Sequence, residues 1–389
     1  MRCFLLTVLS TFVLSSCERS AFQELSLTGM DSTGEPNLSV SADGAVFLSY
    51  LREVDDLAEL YVRELSERGW SEPKIVARDS NMLVNWADFP SVIKSHDDTL
   101  IAQWMVRHSG PGFAYDVYLA FSTDRGDTWS QPERLHADNS ATEHGFVSLY
   151  SDHEGAGAFW LDGRRYANRD ASDRGMELRH RRLFKNEVTG EEVVDRLVCD
   201  CCQTDVVANS GSPIVVYRDR SEEEIRDIRI ARRSDGEWTQ TSVAHDGWEI
   251  TGCPVNGPAI DQHHAVVAVA WFTAVPTSRV RVAFSFDRGG VFHSPIDVMT
   301  GDPVGRVDIE LGTNGNAYVS WLAKGRGEFM YREVGPEGVL GVPQKVASMA
   351  THRNAGFPRM VSVADKLIFA WTDTSGDAAV VRSVMRQAP

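Results

Sequence analysis

Cysteine is scarce in this chain, with six in 389 residues. Cys3 and Cys17 lie near the N-terminus, which leaves Cys199, Cys201, Cys202 and Cys253 for the body of the protein. Basic residues are also outnumbered, 39 Lys and Arg against 55 Asp and Glu, for a net charge of -16. Phosphate backbones need a basic surface, so this balance argues against nucleic acid as a partner. The acids are spread along the chain rather than gathered into a tail, and they read as surface solubility. The apolar run from Cys3 to Val13 is too short for a comfortable transmembrane span. No linker or shift of composition splits the sequence. Its 42% hydrophobic and 24% charged residues are globular values, long enough in sum for one large domain.

The N-terminus reads as targeting. MRCFLLTVLSTFVLSSC has one arginine, the apolar run, and then Leu14-Ser15-Ser16-Cys17. That tetrapeptide resembles a bacterial lipobox, whose cysteine is lipidated and becomes the first residue. An ordinary signal peptide with a chance cysteine is the alternative. The expectation is a lipoprotein signal peptide over residues 1–16 and a mature chain, 17–389, anchored through Cys17 in the bacterial cell envelope rather than spanning a membrane. Glu18 after the cysteine favours the outer membrane.

What is abundant is a repeat. Short apolar strands ending in an aromatic and then polar residues recur as FLSYLRE, IAQWMVRH, AFWLDGRR, VVYRDRSE, VAWFTA, VSWLAKG and FAWTDTS. Their aromatics are Tyr50, Trp104, Trp160, Tyr217, Trp271, Trp321 and Trp371, so successive steps are 54, 56, 57, 54, 50 and 50 residues. Such a period, rich in Val, Ile, Trp and Tyr with Gly/Asp turns, marks the blades of an all-β propeller. The aromatics are expected to be inter-blade core. Each unit reads as four strands; the first offers PNLSVS, VFLSYL, LYVREL and KIVAR. The seventh offers three, and QELSLTG (residues 23–29) supplies the fourth, closing the ring and removing sheet edges. Seven blades follow from the count, or six if one unit is something else.

STDRGDTW resembles the Asp-box, S-x-D-x-G-x-T-W, of sialidase-like propellers, through Ser122, Asp124, Gly126 and Trp129. SFDRGGVF is a weaker copy, with Ser285, Asp287, Gly289 and Phe292, and SERGW (66–70) and SDGEW (234–238) look like eroded ones. The resemblance covers nearly the whole mature chain and implies the fold. The box itself implies a self-folding turn between third and fourth strands, with Asp accepting N–H bonds and Gly taking the open φ.

Propeller geometry then sorts the polar residues. The start of strand one and the end of strand two share a face. There the sequence gathers Glu35, Asp88, His144, Asp205, Asn256, Arg306, Asp308 and Arg359 around the axis, with Arg52, Arg107, His108, Asp162, Arg164, Arg218, Asp219, Arg220 and Asp373 outside them. Sialidases hold a carboxylate with three arginines, because a guanidinium fork matches it in two hydrogen bonds. Here the resemblance implies Arg218, Arg306 and Arg359 for that clamp, with His144 and Asp219 as further substrate contacts and Asp88, Asp205 and Asp308 as candidate catalytic acids. The family's Arg-Ile-Pro is replaced by GEPNLS, with Glu35 in the arginine's place, and GFPRM has Pro and Arg in reversed order.

The cysteines fall on this face too, VCDCC before blade four and TGC before blade five. Three readings compete. Cys199 or a neighbour bonds Cys253, with Cys201–Cys202 a vicinal or second bridge. Alternatively Cys199, Cys201, Cys202 and Cys253 bind a soft metal, copper or zinc, with His144. In the third, a low-pKa thiol cycles with its neighbour. The functional expectation is a monomeric envelope protein that binds, and in one version hydrolyses, an acidic or polar glycan or a small anionic ligand. Against it stand a non-catalytic propeller with a metal or disulfide mouth, and a protein-docking scaffold.

Overall fold

Seven antiparallel sheets are arranged as a ring of blades in the computed structural model, which describes residues 22–388 apart from 30, 110–111, 169–173, 185–186, 189, 209–211 and 326. Residues 1–16, expected to be a signal peptide, and Cys17 lie outside the described residues. The innermost strands are Thr33–Val40, Ser91–Lys94, His144–Asp152, Asp205–Val207, Ala259–His263, Pro303–Leu311 and Arg359–Val363. Seven blades are therefore present and six are excluded.

The ring closes as the sequence implied. Gln23–Glu24 pairs as the outermost strand of the last blade, with Gln23 opposite Met385 and Glu24 opposite Val384. The Val381 amide donates to Thr33 Oγ1 at 2.9 Å, tying the last blade to the first. Among the described residues no helix is long and apolar enough to cross a membrane.

The repeat of apolar residues explains the ring. A second strand such as Val266–Thr273 is buried on both faces, because each of its faces meets a neighbouring blade. All seven repeat aromatics are buried, from 0% exposure at Trp160, Tyr217 and Trp271 to 7% at Trp371. The apolar side chains fall into seven clusters, and each cluster bridges one seam between adjacent blades. In one of them Val216 and Ile230 of blade four meet Val269 and Trp271 of blade five. At roughly 25 cal/mol per Å² of apolar area, such seams are the main stabilising term.

Both Asp-boxes adopt the turn their composition implies. Asp124 accepts from the Thr128 amide at 2.9 Å and hydroxyl at 2.5 Å, Ser122 Oγ accepts from the Gly126 amide at 2.8 Å, and Gly126 has φ +86°. In the second box Asp287 accepts from the Val291 amide and Ser285 from the Gly289 amide, both at 2.9 Å. Trp129 and Phe292 pack against the seams beneath them.

Candidate functional site

The innermost strands do not hydrogen-bond to one another across the axis, so their amides need other acceptors. Aspartates of the neighbouring blade supply them. Asp88 Oδ1 accepts from the Phe146 amide at 2.8 Å, Asp205 Oδ2 from Ile260 at 2.9 Å, Asp261 Oδ2 from Leu311 at 2.7 Å, and Asp308 Oδ2 from Met360 at 2.8 Å. Each bond joins one blade's inner segment to the next. The three candidate catalytic acids are thus fasteners of the ring, and Asp261 is a fourth that sequence reading passed over. Its signal was the carboxylate of AIDQ, which stands one repeat before Glu310 of VDIE in the strand register.

These fasteners also wall an axial cavity of about 700 Å³, lined by Asp88, Asp205, Asp261, Asp308, Glu310 and Arg359. Burial pushes Asp88 and Asp205 up to about 7, raises Asp261 and Asp308, and raises Glu310 further, with Asp261 and Asp308 adding to it by repulsion. Toward the far end the lining includes Lys94 and the exposed His96, His153 and His263.

The end where strand one begins is covered by a segment that crosses the axis. Asp88 and Phe89 lead into blade two, Asp88 reaches blade three, and the Ala87 carbonyl accepts from Gln203 Nε2 of blade four at 2.5 Å. Trp86 stacks on Phe357 of the segment leading into blade seven, centroids 5.8 Å apart, with the Arg306 guanidinium of blade six 4.9 Å from its ring. One short segment touching blades three, four, six and seven has to lie over the axis. The aromatic plug was invisible in WADFPS, because nothing local shows what Trp86 will meet.

The expected three-arginine clamp is not assembled. Arg218 is 2% exposed and spends its donors on the carbonyls of Asn256, Arg226 and Phe272. Arg306, 4% exposed, donates to the Gly356 carbonyl at 2.6 Å and the His352 carbonyl at 3.1 Å. Unlike charged partners, carbonyls do not offset its burial, which lowers its pKa to about 10. A sequence cannot distinguish an arginine that faces a ligand from one that sews a seam. Only Arg359 faces the cavity. Its Nε lies 3.4 Å from Asp308 Oδ2 without a hydrogen bond of good geometry, and its guanidinium sits 5.9 Å from the Phe89 ring.

Two further expectations from the sequence need correction. His144 is not on the axis; it is fully buried at the seam of blades two and three, stacked on His136 at 3.8 Å. Asp219 pairs with Arg229 at 3.0 Å at the end of a second strand, outside the cavity lining, with burial raising it to about 6. Among the cysteines the vicinal bridge is excluded, because Cys201 is joined to Cys253 across blades four and five. Cys199 and Cys202 are both buried, with their sulfurs 2.9 Å apart. A four-thiolate metal site is therefore not assembled. The contact with Cys202 and the charges of Arg218 and Arg226 lower the Cys199 thiol, while burial holds Cys202 protonated.

The ionisation of Asp205 has a measurable consequence. Its folded value, about 7, lies above the ordinary 3.8, so the native state keeps a proton that the unfolded chain releases between those limits. This contribution to stability is present below pH 4 and is lost as pH rises through 7. The full shift corresponds to about 4 kcal/mol, and about 2 is expected for a carboxyl half-open to the cavity. Asp205→Asn keeps an acceptor for Ile260 but does not ionise. Urea unfolding should show the variant near wild type below pH 4, and more stable by about 2 kcal/mol at pH 8. Parallel pH profiles would contradict this account.

No family model and no curated protein matches the chain. Solved structures do. A protein of unknown function from Dyadobacter fermentans DSM 18053 is 12% identical, with 95% of this chain and 98% of that one aligned at TM-score 0.54. Polysaccharide lyase Uly1 is 9% identical, with 97% and 94% aligned at TM-score 0.55. The NanB sialidase of Streptococcus pneumoniae (K499G mutant) is more distant, 11% identical over 94% and 70% at TM-score 0.47. At such identities the likeness is one of fold. The chain is a seven-bladed β-propeller whose fold is similar to that of polysaccharide lyase Uly1.

Proposed function

We propose that the axial cavity binds a polar, acid-bearing carbohydrate. Arg359 carries the reading. It is the arginine of the cavity wall, and its guanidinium makes no hydrogen bond among the described residues, only the 3.4 Å approach to Asp308. A carboxylate or sulfate on a sugar would engage that planar fork in two bonds. The neighbouring Asp205 and Asp308, whose pKa values burial raises, then donate to or accept from sugar hydroxyls rather than repel the ligand. The cavity volume suits a short oligosaccharide. The fold likeness to a polysaccharide lyase supports the same ligand class. A sialoside hydrolase is the weaker version, since two arginines of its clamp are committed to the frame. The leader and lipobox support a place in the bacterial envelope, with the propeller tethered through Cys17.

The test is calorimetric titration of the mature protein with uronate-bearing oligosaccharides and with neutral ones of equal length, each followed for cleavage products. Acidic ligands should bind at least about tenfold more tightly, a difference of 1.4 kcal/mol. Equal affinity for both, or none for either by a folded sample, sinks the reading.

A further inference from the structure

The two ends of the propeller differ in what they expose. In blades one to six the chain turns from third to fourth strand at the end opposite to where strand one begins. Five of the nine large apolar side chains exposed among the described residues sit in two such turns, on adjacent blades: Phe286 and Val291 of blade five, and Val339, Leu340 and Val342 of blade six. Val291 is 65% exposed and Val339 71%. Arg332 ties the two blades beside them, donating to the Val298 carbonyl of blade five and the Gly341 carbonyl of blade six, both at 2.7 Å.

Neither turn needs these side chains in order to form. Blade two's Asp-box makes the same turn with Thr123 and Thr128 where blade five has Phe286 and Val291. In blade six the backbone fixes the turn, with the Gly335 amide donating to the Val339 carbonyl at 2.8 Å and the Gly341 amide to the Glu333 carbonyl at 2.9 Å. Apolar side chains grouped and held outward in this way mark an interaction surface. A lipid tether lies within reach of it. Gln23 pairs with Met385, near the end of a third strand, so the described chain enters the ring at this same far end. The Phe22 ring packs on Tyr331 of blade six, centroids 6.4 Å apart, with the Arg386 guanidinium 5.1 Å from it. Arg386 also donates to Gln344 at 3.2 Å, two residues after Val342. Cys17 stands five residues before Phe22, at most about 17 Å of extended chain.

We propose that the far-end rim of blades five and six dips into a phospholipid bilayer beside the lipid on Cys17, an inference that rests on the lipoprotein reading of that cysteine. Side chains entering the interface next to the tether add buried apolar area and fix how the propeller stands, where a tether alone leaves it free to turn. Charge favours one tilt. The far-end turns of blades two and three, across the ring from blade six, carry the exposed Asp98, Asp127 and Glu154, which hydrocarbon excludes. The propeller therefore stands on one edge. His96 and His153, which line the far end of the axial cavity on blades two and three, are held off the bilayer, where a carbohydrate chain has access.

The experiment uses the full chain, produced in a bacterium that acylates lipoproteins. It is reconstituted into vesicles of phosphatidylethanolamine and phosphatidylglycerol that contain a phospholipid with a diazirine in its acyl chain. Intact mass first reports whether Cys17 is acylated. After illumination, lipid adducts should be about tenfold or more enriched on residues 286–292 and 335–343 over the blade-two box, 122–129. The double variant Val291→Asp, Val339→Asp keeps the backbone bonds of both turns. It should bring the adducts down to the blade-two level while its urea unfolding stays near wild type. An acylated protein whose adducts are even or absent overturns the rim contact alone, and an unacylated Cys17 overturns tether and contact together. Cross-links between two copies through these turns would assign the rim to a dimer and overturn the proposal as well.

Discussion

Replacing Arg218 by alanine is expected to destabilise the protein by about 4 kcal/mol or more, which is a large part of the total for a domain. The guanidinium crosses the seam of blades four and five. Its Nε and one terminal nitrogen donate to the Asn256 carbonyl at 3.0 and 2.9 Å, and the terminal nitrogens also donate to Arg226 and Phe272 at 2.7 Å each. Trp248 lies over it at 4.9 Å. Deleting the side chain leaves three buried carbonyls without this donor, each costing roughly 1–3 kcal/mol, and a void beneath an indole. Lysine cannot replace the fork, because one ammonium cannot span carbonyls on both sides of the seam, so Arg218→Lys should recover only part of the loss. Equilibrium urea unfolding at pH 7 measures both. A change below about 1 kcal/mol for the alanine variant would mean that the arginine is not the seam's fastener.

Arg359→Ala should behave in the opposite way, costing ligand affinity and little stability. The guanidinium makes no bond of good geometry to the frame, whereas Asp308 has the Met360 amide regardless. Loss of a bidentate, desolvated contact to a ligand anion is expected to weaken binding of an acidic oligosaccharide about 100-fold, roughly 2.7 kcal/mol. Lysine should restore part of it, as a point charge without the planar fork. A second effect follows from charge. Arg359 opposes the rise of Asp205 and Asp308, so without it both carboxyls hold their protons to higher pH. The stability of the variant should therefore fall more steeply between pH 5 and 8 than that of wild type. Unchanged affinity of the alanine variant for every acidic oligosaccharide that wild type binds would exclude Arg359 as the anchor.

The contrast between these two arginines marks what was legible in advance. Both occupy the face where strand one begins, and both looked like clamp residues. Arg218 ends a second strand and points across a seam toward carbonyls 38 and 54 residues away. Arg359 begins a first strand and meets the axis. The same limit applies to Asp88, Asp205 and Asp308, which line the axial cavity and whose principal partners, backbone amides of the next blade, lie 52 to 58 residues on. The cysteines were partly readable. Placing VCDCC beside TGC foretold a bridge to Cys253, but not that Cys201 makes it while Cys199 and Cys202 face each other.

Sequence alone determined the repeat architecture: seven blades, the N-terminal strand that closes them, the buried aromatic in each, and the turns of two Asp-boxes. These depend on periodicity and on local backbone chemistry, which act over four to sixty residues and repeat along the chain. The tertiary structure alone decided the use of each polar side chain. Whether an arginine, aspartate or histidine meets a ligand, an amide or another ring depends on atoms brought together from different blades. That proximity is set by closure of the ring and by the segment at Trp86 that crosses it, neither of which leaves a periodic mark.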